Sequence, residues 1–490
     1  MKQLPSRSFA PWRLCGSINR CHPDEGGISE TSNKFTSKRS RFLAIGIGLI
    51  CCFLFLSSCK KFLDAKPDQK LAVPRTVTDL ALLLDNHSGI NTAYPYEPET
   101  LSDNYYLAPA DWLSLTNAAE KAYHVWAPDD SYTLGWSASY TVVFYANNVL
   151  DNIDKASANA AEAALREEVR GRALFFRGFA LYGLSQLFAP PYNAATAAND
   201  PGLPLRLTAD FNPPSVRASV AATYAQVLSD LEAAAARLPV SVASKNRPSR
   251  PAAFAALART ALAMGDWAAA RDWADSCLRL NSTLMDYNTL SATAAAPFAR
   301  FNPEVLFWAI SPAQLTLVPS RYKVDSTLYA SYAAADLRKT LFYKSNGNGT
   351  FAFKGDYDGT NSGAVFVGLT TDEAYLVKAE AEARLGATAP AMAALNALLQ
   401  KRWKTGTFVP LAAASPAEAL SLVLRERRKE LVFRGQRWTD LRRLSLDPAL
   451  AVTPRRVING TVYTLVPGSP RYTLLLPRLV IDLSGMPQNP

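Results

Sequence analysis

One short stretch combines flat aromatic rings with carboxylate and amide groups. It covers residues 101–117, LSDNYYLAPADWLSLTN, and its aromatic and polar members are Asp103, Asn104, Tyr105, Tyr106, Asp111 and Trp112. The apolar face of a sugar stacks on an aromatic ring, while its hydroxyl groups exchange hydrogen bonds with carboxylates and amides. We therefore predict a sugar-type ligand site here. Core packing is an equally good explanation for any single aromatic residue.

The sequence offers few groups for catalysis. A glycoside hydrolase needs two carboxylates that face each other across the scissile bond, and no local arrangement singles out such a pair. The histidines His22, His87 and His124 lack the spacing of a metal site. Neither a Gly-x-Ser-x-Gly elbow nor a phosphate-binding glycine loop occurs. We predict no catalytic residue, no metal site and no cofactor, and keep a hydrolase as the least favoured alternative.

A charged stretch late in the chain, RERRKELVFRGQRWTDLRR, indicates architecture rather than catalysis or a phosphate clamp. On a helix through Leu420 and Leu431, Arg427 falls on the apolar stripe. A buried guanidinium group must be paired. The candidate partner carboxylates are Glu430, Asp440 and Glu380. The predicted structural ion-pair motif consists of Arg427, Glu430, Arg437 and Asp440.

The elements that must position these residues are mainly helices. Apolar residues recur every three or four positions in several segments, which is typical of one buried helix face. The predicted helix pairs cover residues about 134–189, 216–280, 371–403 and 416–445. The loop-rich segments predicted to carry the ligand site cover residues about 71–133 and 280–370. Residues 192–214 form a further long segment without periodicity.

Two helix pairs share a plan in which a glycine-bearing turn joins helices with small facing residues. In ALARTALAMGDWAAARDWADSCLRL, the turn at Gly265, Asp266 and Trp267 resembles the tetratricopeptide pattern, and DEAYLVKAEAEARLGATAPAMAALNALLQKRW is a looser copy. Stacked pairs of this kind bury a continuous seam. We predict a mostly α fold, a tetratricopeptide-like helical-repeat scaffold with long irregular loops and few short strands.

The N-terminal segment has the pattern of an export signal. Basic residues precede an apolar run from Phe42 to Leu56, which is shorter than the roughly 20 residues that span a bilayer, and Ser57 and Ser58 follow it. The step into Cys59 resembles the lipobox of bacterial lipoproteins, in which the cysteine becomes the acylated first residue. We predict a leader over 1–58, lipidation at Cys59 and a single domain over 59–490. A plain signal peptide or an anchor helix is the alternative.

The net charge and the cysteine content limit which classes of function the sequence supports. The formal net charge of +10 includes a basic leader, and the excess that remains after it is mild, so the charge gives no argument for nucleic-acid binding. Of the six cysteines, only Cys59 and Cys277 follow the leader. With Cys59 lipidated, no intramolecular disulfide can form, and Cys277, on a helical pattern, is interpreted as a small buried apolar residue.

Several segments together resemble one family, the SusD/RagB nutrient-binding lipoproteins of Bacteroidetes. In chain order they are CKKFLDAKP, FYANNVLDNID, EVRGRALFFRGFALYGLSQLFAPP, PPSVRASVAATYAQVLSDLEAAAARLP, DEAYLVKAEAEARLG, RERRKELVFRGQRWTDLRR and GMPQNP. The resemblance covers essentially the whole mature chain. One departure is Arg434, where the family pattern more often has glutamate, and we expect it to rearrange a local ion pair.

The resemblance implies a location, a partner and a role. Such proteins are lipid-anchored at the outer face of the outer membrane, cover a SusC-like TonB-dependent transporter and capture oligosaccharides for import. A peptide- or protein-binding RagB-like component is the alternative. Trp308 and Tyr322, in the long segment after the third helical pair, are added to the candidate ligand-binding residues.

Overall fold

The computed structural model describes residues 74–157 and 162–490. The predicted leader and Cys59 lie outside the described residues. None of the helices in the described ranges is long and apolar enough to cross a membrane. Contacts join Val73–Pro490 into one unit.

Helices form most of the described structure. Before the first long helix lie α1 (Val77–Leu84), α2 (His87–Ile90), α3 (Glu97–Thr100), α4 (Pro109–Leu113) and α5 (Ala118–His124). The long helices that follow are α6 (Leu134–Asn152), α7 (Ala163–Phe188), α8 (Val220–Arg237), α9 (Arg250–Met264) and α10 (Trp267–Leu280). The later helices are α11 (Ser326–Ala330), α12 (Arg338–Phe342), α13 (Thr371–Arg384), α14 (Thr388–Leu399), α15 (Pro416–Glu430), α16 (Arg437–Leu444) and α17 (Arg478–Ser484).

The strands of the described ranges pair two at a time, always antiparallel. The pairs that lie close in the chain are β2 (Pro201–Pro204) with β3 (Arg217–Ser219), β6 (Tyr343–Ser345) with β7 (Phe351–Phe353), and β9 (Arg455–Ile458) with β10 (Thr461–Thr464). The pairs between distant segments are β1 (Tyr105–Leu107) with β5 (Tyr322–Val324), and β4 (Val305–Phe307) with β8 (Leu369–Thr370). The mostly α fold with few short strands is confirmed.

The long helices stack in chain order. Helices α6, α7 and α8 pack side by side, α8 meets α9, α9 pairs with α10, and α10 continues onto α13, which packs against α14 and α15. Alanines at the crossing of α9, α10 and α13, such as Ala261, Ala274 and Ala381, are buried, which lets the helix axes approach closely. The tetratricopeptide-like scaffold is therefore present.

The loop-rich segments are held by an aromatic core of their own. Its members include Tyr96, Tyr105, Phe298, Trp308, Tyr322, Phe342, Phe353, Tyr357, Phe366 and Phe433. Rings from β1, β5 and the turn after α15 meet there, so segments distant in sequence share one core. The sequence marked these segments only as loops, because α2 to α5, α11 and α12 are too short to show a helical period.

Candidate functional site

Strand pairing decides which tyrosine of the aromatic stretch reaches the surface. In β1, Tyr105 and Leu107 are each 2% exposed, whereas Tyr106 between them is 39% exposed, as expected when successive side chains point to opposite faces. Tyr106 pairs with Lys323 of β5. The Tyr106 ring is therefore accessible to a ligand.

Trp112 lies on α4, which contacts β1, and its ring is half-buried against the aromatic core. Its indole Nε1 donates to the backbone oxygen of Lys121 at 3.1 Å, and the Lys121 ammonium lies 5.9 Å from the ring centre. Asp111 and Lys323 approach to 3.9 Å. Together Tyr106, Asp111, Trp112 and Lys323 form what we call the Tyr106–Trp112 face, with one exposed ring and one half-buried ring beside one acidic and one basic group.

The other aromatic and amide candidates are buried. Asn104 donates to Glu99 Oε1 at 2.9 Å, and the Tyr105 hydroxyl donates to the Thr100 backbone oxygen at 3.1 Å. Both side chains belong to the interior and have no surface beside the Tyr106–Trp112 face.

Trp308 and Tyr322 are likewise core residues. The Trp308 indole donates to Asp358 Oδ1 at 3.2 Å, and the Arg300 guanidinium lies 5.1 Å from its ring. The Tyr322 ring stacks on Phe433 with ring centres 4.9 Å apart. Both rings therefore pack in the core. The sequence prediction included them because composition alone does not separate a buried aromatic residue from an exposed one.

Asp103 is held in an ion pair. Its two carboxylate oxygens accept from Arg437 at 2.6 and 2.9 Å, and Arg428 approaches to 3.3 Å. Burial alone would raise the pKa of Asp103, but the two guanidinium groups hold it well below its usual range. Asp103 therefore remains ionised and is occupied in positioning α15 and α16.

The charged motif forms a buried network. Of the three carboxylates considered as partners of Arg427, Asp440 lies against it, with the guanidinium Nε 2.9 Å from Oδ2. Glu430 instead lies between Arg338 at 3.0 Å and Arg402 at 2.7 Å. These side chains are nearly inaccessible, so the network ties α12, α15 and α16 together.

Glu380, the third candidate carboxylate, and Arg434 are also paired. Glu380 on α13 accepts from Arg443 at 2.7 Å. Arg434 donates to Thr370 Oγ1 at 2.7 Å and lies 3.3 Å from Asp372. Its guanidinium also stacks at 4.0 Å over the Tyr357 ring. Arg434 thus has a carboxylate and an aromatic ring as partners.

A second surface feature was not predicted from the sequence. A groove of about 420 Å³ is lined by Trp136, Tyr140, Arg206, Phe211 and Leu483 among others. Phe211 is 83% exposed. The loop that carries it is held by the Arg206 guanidinium, which donates to the backbone oxygens of Pro213 and Asp210 at 2.6 and 2.5 Å. A phenylalanine inside the run DFNPP was the available signal, because Asp, Asn and Pro favour turns and loops, which lie at the surface.

No metal site accompanies either surface. Among the described residues, no group of three or more His, Cys, Asp or Glu side chains is arranged to hold a metal ion. The chemistry that the Tyr106–Trp112 face offers is ring stacking and hydrogen bonding.

Two family models match the chain in succession. The SusD-like model described as "Starch-binding associating with outer membrane" matches residues 61–262, and the SusD/RagB model of the SusD family matches residues 352–464. Comparison with curated proteins gave no match.

Solved structures share the fold. A putative sugar binding protein from Bacteroides vulgatus is 22% identical, with a TM-score of 0.69 over 85% of this chain and 98% of that one. A SusD superfamily protein from Bacteroides thetaiotaomicron is 21% identical, with a TM-score of 0.69 over 85% of this chain and 100% of that one.

A laminarin binding SusD-like protein is 18% identical, with a TM-score of 0.61 over 85% of this chain and 99% of that one. At these identities the structural likeness shows the fold. The two family matches lie in order along the chain and agree with that fold, and the chain belongs to the SusD/RagB family.

Proposed function

We propose that the chain is a cell-surface lipoprotein that captures oligosaccharides or polysaccharides and delivers them to a SusC-like TonB-dependent outer-membrane transporter. The observation that carries this proposal is the family match across residues 61–262 and 352–464. The predicted export signal and the lipobox-like step into Cys59 support the location.

The Tyr106–Trp112 face is the proposed contact with the glycan. The exposed Tyr106 ring and the half-buried Trp112 ring can stack against sugar faces, and Asp111 and Lys323 can exchange hydrogen bonds with hydroxyl groups. A shallow face gives modest affinity. Modest affinity suits the role, because a lipid tether beside the pore raises the effective ligand concentration there, and tight binding slows release.

The test uses the mature chain, residues 60–490, in affinity gels that contain a panel of polysaccharides. We expect retarded migration with at least one glycan and no shortening of it. Trp112→Ala should weaken binding roughly tenfold, the effect of losing a stacked aromatic contact. Phe211→Ala is the matched control, because it removes an exposed ring from the separate groove.

Each failure of this test has its own meaning. If Phe211→Ala and not Trp112→Ala abolishes retardation, the glycan contacts the groove and the site assignment is wrong while the function stands. If no glycan binds but a transporter is captured with bound peptide, the RagB-like alternative replaces the proposal. Products released from any glycan would identify a hydrolase.

A further inference from the structure

A pocket of about 270 Å³ lies between α11, α15 and α16. Its apolar walls include one leucine of each helix, Leu328, Leu424 and Leu444. Thr327 and Ser331, both exposed, add hydroxyl groups. The charged side chains that line the pocket are Arg425, Arg428, Lys429, Arg437 and Asp440. Cations therefore outnumber carboxylates in its wall.

Three of these charged groups are already paired within the protein. Arg437 donates to both oxygens of Asp103 at 2.6 and 2.9 Å. Lys429 lies 3.0 Å from Glu426. Asp440 lies between two other arginines at 2.9 and 2.8 Å. These three groups are committed to the buried network and are not free for a ligand.

Arg425 and Arg428 keep donors to spare. The Arg425 side chain is 53% exposed, and its Nε lies 3.6 Å from Glu426 Oε1, beyond hydrogen-bond distance. Arg428 is half-buried, and its Nη2 lies 3.3 Å from Asp103 Oδ2 and 3.8 Å from Asp325 Oδ1. Within the described part of the chain, the Nη1 of Arg428 donates no hydrogen bond. Both guanidinium groups can therefore take a further acceptor.

The placement of the two arginines suits an anion. They are three residues apart on α15, so they lie on one side of the helix. A guanidinium group presents a planar fork of N–H donors that matches the paired oxygens of a carboxylate or a sulfate. Burial lowers the pKa of Arg428, and the carboxylates of Asp103 and Asp325 do not offset this. The charge of Arg428 is therefore incompletely compensated, and an anion in the pocket would compensate it.

The size and the position of the pocket indicate which anion fits. Sites for drug-sized ligands have volumes of roughly 300–1,000 Å³, so a pocket of about 270 Å³ suits a ligand of about one sugar unit. The leucines can meet its apolar face, and the hydroxyl groups of Thr327 and Ser331 can bond its own hydroxyls. Thr327 is four residues beyond Lys323 of the Tyr106–Trp112 face, so their Cα atoms are at most about 14 Å apart. Units of one glycan can therefore reach both.

We propose that this pocket binds an acidic sugar unit, whose carboxylate or sulfate group pairs with Arg425 and Arg428. The inference rests on the proposed function and adds a substrate class to it, since the captured glycan is anionic. The Tyr106–Trp112 face stacks against sugar rings, and the pocket reads the charge.

Saturation-transfer NMR of the mature chain, residues 60–490, tests the proposal with glucuronate, galacturonate, a sulfated glucose and neutral glucose as probes. We expect binding of at least one acidic sugar and a much weaker signal from glucose. Binding of a uronate identifies a carboxylate as the anionic group, and binding of the sulfated sugar alone identifies a sulfate. Raising the salt from about 0.1 M to about 1 M, which shortens the screening length from about 10 to about 3 Å, should weaken this binding.

Variants of Arg425 locate the binding. Arg425→Gln, at an exposed position, should weaken binding of the acidic sugar about tenfold, because one charge-assisted contact is lost. Arg425→Lys keeps the charge without the fork and should restore part of the affinity. The matched control is Arg279→Gln, which removes an exposed arginine from α10 and should bind like the parent.

Two kinds of result would overturn the proposal. One is that no acidic sugar binds, or that Arg425→Gln binds it as well as the parent does. The proposed function would still stand, because the affinity gels with neutral glycans and Trp112→Ala test it separately. The other is that a tetraglutamate peptide binds in an Arg425-dependent way while no acidic sugar does, which would assign the pocket to peptides.

Discussion

Buried charge is the dominant feature at the scale of single residues. Glu430 lies between Arg338 and Arg402, and Arg402 also pairs with Glu304 at 2.7 Å. All four side chains are almost fully buried. Such a network contributes little net stability relative to apolar packing, but loss of one member leaves an uncompensated charge in the interior.

Glu430→Ala should therefore destabilise the protein by about 3–5 kcal/mol, because it leaves two guanidinium groups short of a carboxylate. Urea unfolding followed by circular dichroism measures the change. The matched control is Asp482→Ala, which removes an exposed partner of Arg478 on α17 and should cost less than about 1 kcal/mol. Equal losses in the two variants would contradict the assigned role of the network.

Three carboxyl groups give the protein a distinct pH dependence. Burial raises the pKa of Glu97, Glu99 and Asp356 to about 7. Between about pH 4.5 and 7 the folded protein holds protons at these groups that the unfolded chain releases. These groups therefore make the free energy of unfolding fall as pH rises through that window and level off above it.

Glu97→Gln should flatten this profile, because glutamine stands in for the neutral acid. Relative to the parent, the variant should gain up to about 3 kcal/mol at pH 8 and little at pH 4.5. Denaturant unfolding at a series of pH values measures it, with the exposed Glu232→Gln as control. An unchanged slope in the Glu97 variant would show that Glu97 ionises normally in the folded state.

Residue-scale features differ in how far the sequence predicts them. The burial of Arg427 follows from its place on an apolar stripe. Its pairing with Asp440 depends on the turn after α15, where Phe433 and Gly435 have φ of 53° and 66°. This turn reverses the chain, so that Asp440 on α16 reaches Arg427 on α15. Tyr105 and Tyr106 are adjacent and identical in type, so only pairing with β5 decides which one is exposed.

At the scale of elements, the helix pair α9–α10 depends on its turn. Gly265 ends α9 with φ of 77°, in the left-handed region, and Asp266 starts α10 by accepting from the Ala269 backbone nitrogen at 3.0 Å. This turn was predictable because its residue types are those of helix ends. Helices as short as α4, and strand β1, give no such signal because packing rather than local preference forms them.

Gly265→Ala should destabilise the protein by about 1–2 kcal/mol, because a Cβ is strained at this φ, although there is room for it beside Trp267. The matched variant Gly183→Ala, inside α7 with only Pro95 Cδ at 3.9 Å from the new Cβ, should instead stabilise by about 0.5–1 kcal/mol. Thermal unfolding compares them. The same sign for both would contradict the role given to backbone conformation at Gly265.

At the scale of the whole molecule, the proposed anchor Cys59 precedes the described residues in the sequence. The motivating observation is the lipobox-like step into Cys59, in a segment that precedes the described residues. Cys59→Ala should leave the protein unacylated and soluble in the periplasm. Membrane fractionation with labelled fatty acid measures this. If the variant still takes up label and sediments with the outer membrane, Cys59 is not the anchor.

Chemical labelling of Cys277 can report local opening of the folded domain. It is the one cysteine in the described part of the chain, it is buried in α10, and burial raises the pKa of its thiol. Thiol reagents need an accessible thiolate, so they modify the mature chain, residues 60–490, only when the packing around α10 opens. The rate of that labelling records how often the α9–α10 pair separates from its neighbours under native conditions.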